Sequence, residues 1–557
     1  MNLEKLKECK SKYDLANLLK YSLQSLSCIL FKDIDSNYSM FYIDKKDGTK
    51  REILAPNEKL KKVQKNLSKI LCKSYECINK NPKAVHGFIE KKSIITNAKM
   101  HKNKRYVLNI DLKDFFPSIT FNRIVGFFKK NKHFQLEHEV AILIAQILCH
   151  KGKLPQGSPS SPIMSNLIML SLDKELNILS KKYGLIYTRY ADDITFSTNK
   201  RKFPKEIAYS INNVDWNVSK ILERLINNYH FEINHNKTRM QYRTSRQETT
   251  GIVVNKKVNV SRTYIRNIRA MLNKMICNYT MDEYDSFKSS IKGRIDFIYQ
   301  VRKDYIDLKN KKNHEKDLIV KLFNKYFYFD KFVNNSNVTI LTEGKTDKVY
   351  IDVAFSHFKN EYNYGIDIVR HSNMFLNITK LNGIKKLKGF IDNYKDKYKQ
   401  EIVPLLKKSK IENPKYPVVI IIDSDEIEFL KELKLFDDKY NLKNKYIFKE
   451  PNLYCFHLPQ LDDKEFFSIE YYFQENIRNK YINGKRLRDI IEKENIYKID
   501  DKSLTKSKFS QYIRKLRYDN EEKTDINSNN KKIFSEFKKI FDLIDEILKD
   551  YNTRIQK

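Results

Sequence analysis

Apolar residues recur along this chain in two rhythms. Leu3, Leu6, Leu15, Leu18 and Leu19 fall at helical spacing, so residues 1–40 are predicted to be helical. Residues 42–56 alternate and read as a β-hairpin closed by Asp47-Gly48. Residues 60–78 form a basic amphipathic helix. At 106–110 an apolar strand runs straight into Asp111. Residues 154–162 are a polar loop with three prolines and one glycine, Gly157, which suits a close approach of backbone to a ligand. A helix-like run, 163–179, follows. Two β-rich runs, 185–190 and 194–197, then flank Ala191, Asp192 and Asp193. Neighbouring side chains on a flat strand point to opposite faces. Asp192 and Asp193 therefore serve one site only if they sit at a tight hairpin turn, which aspartate suits. Residues 221–229 read as a helix, and 261–330 as helical and basic.

The rhythm changes after a polar cluster at Asn334, Asn335, Ser336 and Asn337, a predicted boundary. A strand then ends at Glu343, Gly344 permits a turn, and a helix starts near Thr346. Residues 418–422 are a continuous apolar run of the buried, parallel type, followed by Asp423 and Asp425 on one face. Acids at the carboxyl ends of parallel strands lie where open α/β sheets bind ligands. Residues 476–557 are lysine-rich and mostly helical, with a break at 527–530 and an expected solvated face. No internal repeat is seen.

Composition narrows the partners. At 557 residues the chain holds two or three domains. A net charge of +37 favours a polyanion, nucleic acid first and a membrane surface second. No run of 18 apolar residues exists, so no membrane span is expected. The first residues lack a signal-peptide core, and the seven cysteines are scattered without a C-x-x-C pair. They read as reduced thiols of a cytoplasmic protein, and zinc is not expected.

Paired carboxylates at Asp192 and Asp193 repel unless a cation stands between them, and a divalent, oxygen-loving ion fits. The strand ending in Asp111, the loop Leu154-Pro155-Gln156-Gly157 and the Tyr190-Ala191-Asp192-Asp193 hairpin together resemble reverse transcriptases across roughly residues 20–330. That resemblance implies an α+β right-hand polymerase (fingers, palm, thumb) over 1–332. It implies catalytic Asp111, Asp192 and Asp193 holding two Mg2+ ions, with Asp192 favoured as the bridge. Nucleotide contacts would come from Lys50 and Arg51 in the fingers hairpin, the Leu112 carbonyl, Gln156, and Lys237 near the leaving pyrophosphate. Phe116, five residues past Asp111, stands where related enzymes put an aromatic gate against the ribose 2′-hydroxyl.

Asn97-Ala98-Lys99-Met100-His101, just before the first aspartate, resembles the retron branch. Thr249-Thr250-Gly251 stands where that branch carries Val-Thr-Gly, with threonine in first place as a departure. Asn97 and His101 fit two roles: reading RNA edges or 2′-hydroxyls, or forming a buried hydrogen-bonded pair that positions the palm. The retron resemblance implies a dedicated structured non-coding RNA, synthesis from its 2′-hydroxyl, RNA-linked DNA as product, deoxynucleoside triphosphates as substrate, and a role in antiphage defence. A homo-oligomer is left open.

Glu343-Gly344 and Asp423-Ser424-Asp425 resemble the Toprim fold over 338–475, an α/β domain, with a helical basic tail at 476–557. The resemblance implies a Mg2+ site at Glu343, Asp423 and Asp425, with Asp347 and a further acid, Glu470, in the same site, and Lys345 to meet a phosphate. A nuclease effector ranks above a topoisomerase. The rivals are another bacterial reverse transcriptase, group II intron-like or defence-type, and an RNA-binding scaffold with a non-catalytic Toprim module.

Overall fold

In the computed structural model, the helical rhythm of the first residues resolves into three short helices, α1 (Asn2–Lys7), α2 (Lys12–Leu18) and α3 (Leu23–Phe31). Ser11 and Ser22 cap α2 and α3 by accepting from a backbone N–H in the first turn. The structure describes residues 2–556 except 33, 45–47, 81–82, 211–214, 278–280, 307–316, 380, 382–383, 437–442, 462–466, 479–485, 488–502, 505 and 519–523. The expected hairpin forms from β1 (Tyr38–Asp44) and β2 (Lys50–Pro56), paired from Tyr38↔Pro56 to Asp44↔Lys50. Asp47 of its expected turn lies outside the described residues.

After α4 (Glu58–Ile78) and α5 (Ile94–Met100) comes β3 (Tyr106–Lys113), then α6 (Phe121–Lys130), α7 (His138–Leu148) and α8 (Ser161–Lys182). The strands β4 (Ile186–Tyr190) and β5 (Asp193–Thr198) make the second hairpin. The small pair β6 (Ala208–Ser210) and β7 (Trp216–Val218) precedes α9 (Lys220–Asn228), β8 (Glu232–Tyr242) and the short hairpin β9 (Glu248–Thr249) and β10 (Ile252–Val253).

β3, β4, β5 and β8 form one antiparallel sheet in the order β4-β5-β3-β8. Its two faces follow from period-two alternation and register. Leu108, Ile110, Leu112, Ile194 and Phe196 share the face that packs into a core with α4, α7 and α8. The other face carries Asn109, Asp111, Thr188, Asp193, Thr195 and Ser197.

The chain forms two compact units, Met1–Arg262 and Thr263–Lys557. The helices Met281–Arg302 and Leu318–Tyr328, within the stretch 1–332 that the resemblance gave to the polymerase, group with the second unit. That unit holds a five-stranded sheet of β11 (Val338–Thr342), β12 (Ile366–Ile368), β13 (Val418–Ile422), β14 (Ile447–Lys449) and β15 (Leu453–His457). The order is β12-β11-β13-β15-β14, parallel except for β14 at the edge. β11, β13 and β15 are buried at every position, as a parallel sheet covered on both faces requires.

Two expectations fail in the last stretch. The 527–530 break lies inside the helix Thr524–Ile533, because polar asparagine and serine are tolerated in helices whose other positions pack. Nor is this region a solvated extension: Phe509, Ile513, Phe534, Phe537, Phe541, Ile544 and Tyr551 are buried in one core with β11, β13 and β15. Lysines mask an apolar stripe that recurs with helical period in Lys538–Ile555.

Candidate active site

The β4–β5 hairpin closes with Tyr190 opposite Asp193, leaving Ala191 and Asp192 as a two-residue loop. Ala191 adopts φ +56°, as the first loop residue of such hairpins commonly does. Asp193 lies directly across from Asp111 on β3, and the Leu112 N–H donates to the Asp192 carbonyl at 3.2 Å. The tight turn thus brings the three acids to one end of one sheet. Their electrostatics show it. Burial, then the charges of Asp192 and Asp111, push the Asp193 carboxyl up to about 7. Burial raises Asp192 as well, with Asp111 contributing.

Lys237 from β8 pairs with these acids, its Nζ 3.1 Å from Asp111 Oδ2, and Asn234 Nδ2 donates to the same oxygen at 3.3 Å. Among the described residues no three His, Cys, Asp or Glu side chains stand in a ready-made metal arrangement. The donor set nevertheless fits magnesium, since three carboxylates crowded at one sheet end need positive charge and offer only oxygen.

The nucleotide-contact residues divide. Lys50 and Arg51 are neighbours on β2 and so point to opposite faces. Arg51 is the one whose charge is felt at Asp192. The Leu112 side chain is buried in the core, so only its backbone faces the acids. Gln156 is half-buried, and its carbonyl accepts from the Leu54 N–H at 2.8 Å. Gly157 sits at φ +129°. A Cβ there would lie 2.6 Å from the Leu54 carbonyl oxygen, so the glycine lets the loop approach β2 closely.

Asn97 and His101 do not read RNA directly, because both are fully buried. His101 Nδ1 bonds Ser197 Oγ at 2.7 Å and its Nε2 bonds Thr188 Oγ1 at 2.6 Å, while Thr188 donates to Asn97 Oδ1 at 2.5 Å. Burial drives the His101 pKa down to about 3, so the ring is neutral. The pair fastens α5 to the sheet face that carries Asp111 and Asp193, the positioning role. Thr249 is buried and Thr250 half-buried, and only Gly251 is exposed. Asn97 Nδ2, Thr249 Oγ1 and Thr250 Oγ1 are buried without a hydrogen-bond partner.

Sequence reasoning missed the support behind the turn. Arg189 is fully buried and lies on the core face. Its Nε and Nη2 donate to Asp173 of α8 at 2.7 Å each, Nη2 also to Asn166 Oδ1 at 3.0 Å, and Nη1 to the Ala191 carbonyl at 3.0 Å. The Tyr187 hydroxyl completes Asp173 at 2.6 Å. Burial opposes the guanidinium charge, but Asp173 outweighs it and pushes the Arg189 pKa up. An arginine falling in phase with Tyr187 and Ile194, on the apolar side of a strand, was the available signal.

In the second unit Glu343 follows β11, and Asp423 and Asp425 follow β13, its direct neighbour. The chain leaves β11 toward β12 on one side and reaches β13 on the other, so these acids stand at a topological switch point. Burial, then Glu426, Asp347 and Asp425, push Glu343 up to about 7. Burial, then Asp347, Asp425, Glu343 and Glu470, raise Asp423 far above the carboxylate range. Asp347 also bonds the Gly344 N–H at 2.7 Å, shaping the turn. Glu470 is buried and meets Lys506 Nζ at 3.1 Å. Lys345 is exposed.

A family model described as reverse transcriptase (RNA-dependent DNA polymerase) matches residues 43–265. Retron Mx162 reverse transcriptase from Myxococcus xanthus is 33% identical over 321 residues, covering 53% of this chain and 64% of that enzyme. Retron Ec86 reverse transcriptase from Escherichia coli is 30% identical over 292 residues, covering 52% of this chain and 84% of that enzyme. Telomerase from Candida tropicalis aligns in structure with a TM-score of 0.33 and 11% identity, covering 67% of this chain and 68% of its own. The alignment to Ec86 spans most of that enzyme's length, and on it the chain belongs to the family of retron reverse transcriptases.

Proposed function

We propose that the first unit is an RNA-directed DNA polymerase. The observation that carries this reading is the pairing of Asp111 with Asp193 beside Asp192 at the closed end of one hairpin. Two Mg2+ ions bound to these carboxylates would lower the pKa of the primer hydroxyl and neutralise charge on the triphosphate. The chain's own residues do the rest. Asp111, Asp192 and Asp193 hold negative charge fixed on paired strands. Lys237 and Arg51 supply cations whose charges are felt at Asp192. Phe116, half-buried against Phe115, narrows the sugar position, and Gln156 steadies the nucleotide from the loop that β2 grips.

The template is a structured non-coding RNA and the product an RNA-linked single-stranded DNA, as the family's character suggests, in antiphage defence. The second unit acts as effector. Its acids at the switch point of a parallel sheet support a Toprim-like, metal-dependent nuclease over 338–475, with Glu343, Asp423 and Asp425 as ligands. The test is to sequence nucleic acid copurifying with the chain. One abundant short RNA joined to DNA is expected, absent from the Asp192→Asn and Asp193→Asn proteins, which should fold normally. Heterogeneous cellular RNA alone, or DNA synthesis by either variant near the unaltered level, would refute the reading.

A further inference from the structure

Phe88 is a large apolar side chain, 41% exposed, in the unit that holds the catalytic acids. Its backbone is in the left-handed region, φ +60°, which aromatic residues rarely adopt. Such conformations persist where the surroundings over-determine them, and they cluster at functional sites. The surroundings here are specific. The His86 N–H donates to the Arg189 carbonyl at 2.9 Å, and Asn166 Nδ2 donates to the Gly87 carbonyl at 3.0 Å. A Cβ on Gly87 would lie 2.6 Å from the Ala191 nitrogen, so the segment is pressed against the catalytic turn itself. Held on both sides, the chain leaves Phe88 no route into the core.

The ring meets two others. Its centroid is 6.3 Å from Tyr190, which precedes the catalytic loop, and 6.3 Å from Phe116. Phe88 therefore bridges the aromatic that opens the acid turn and the aromatic read as the sugar gate, and its remaining surface is open.

We propose that Phe88 is a specificity-determining residue of the polymerase, completing with Phe116 the apolar wall that the sugar of the incoming nucleoside triphosphate meets. A 2′-hydroxyl pressed on such a wall loses water and gains no hydrogen bond, whereas a deoxyribose methylene loses nothing. Two rings in contact restrict that space more firmly than one, because each limits the rotation of the other. The inference rests on the polymerase reading.

The experiment compares kcat/KM for deoxy- and ribonucleotides in the full chain and in Phe88→Ala, Phe116→Ala, the double variant and Phe88→Tyr. Phe88→Ala removes an exposed ring and leaves the turn's hydrogen bonds in place, so it should fold. Its discrimination against ribonucleotides is expected to fall about three- to tenfold, with Phe88→Tyr retaining it. The double variant should lose less than the product of the single losses, as neighbours in contact do. Discrimination within twofold of the unaltered chain in Phe88→Ala overturns the proposal, even where Phe116→Ala relaxes selection. A loss confined to primer affinity also overturns it. Relaxed selection in Phe88→Ala with none in Phe116→Ala overturns the shared wall.

Discussion

The buried Arg189–Asp173 pair offers the sharpest test of how the acid turn is held. Arg189→Met leaves Asp173 charged in the core with the Tyr187 hydroxyl as its remaining partner among the contacts described above. Breaking one side of a buried pair costs about 3–5 kcal/mol, because the remaining charge is uncompensated. Arg189→Met with Asp173→Asn removes both charges. What remains is the loss of donors to the Ala191 carbonyl and Asn166, about 1 kcal/mol each. The double variant should therefore be more stable than Arg189→Met alone by roughly 1–3 kcal/mol. Hydrogen exchange of peptides spanning β4 and β5 in the full chain reads this directly. At ~1.4 kcal/mol per tenfold, Arg189→Met should speed exchange there roughly a hundred- to several-thousand-fold. DNA synthesis should drop in both variants, since both lose the bond to Ala191. Exchange within tenfold of the unaltered chain, or a double variant no better than the single, would show that the pair does not anchor the turn.

Two further outcomes follow from the charges. Asp193 titrates near 7 in the folded chain, above its value of about 4 when unfolded, so the folded form holds its proton more tightly. Without metal, stability should fall as pH rises from about 4 through 7, and Glu343, also near 7, acts in the same direction. Mg2+ should then raise the melting temperature more at pH 8 than at pH 6, and an equal rise at both would count against carboxylate ligation. In the second unit, Asp423→Ala with Asp425→Ala should leave DNA synthesis intact and abolish nuclease activity and cellular toxicity. Toxicity and phage protection surviving together would remove this site as the effector.

Much of the fold was legible because it rests on local rules. The strand into Asp111, the acid hairpin, the hairpin at 42–56 and the apolar run before Asp423 all appeared where alternation or an unbroken apolar run put them. The helix across 527–530 was misread because a cluster of asparagines resembles a loop when its packing neighbours are unknown. The C-terminal helices were read as solvated for a related reason. Their lysines are visible in sequence, but the core they complete belongs to the strands that carry Val338, Ile340, Val419, Ile421, Tyr454 and Phe456, outside those helices.

The sequence by itself determined which chemistry was present: the acids at strand ends, their order, the basic charge and the turn that lets Asp192 and Asp193 share a site. Tertiary structure decided which groups act together. Register, fixed by burying Leu108, Ile110 and Ile194 on one face, set Asp111 opposite Asp193. Burial turned Asn97 and His101 from candidate readers of RNA into a brace for the sheet. Packing of α8 against β4 gave Arg189 its carboxylate. Each of these depends on a partner distant in sequence, and the exposure of a side chain is a property of what packs over it, not of the residue.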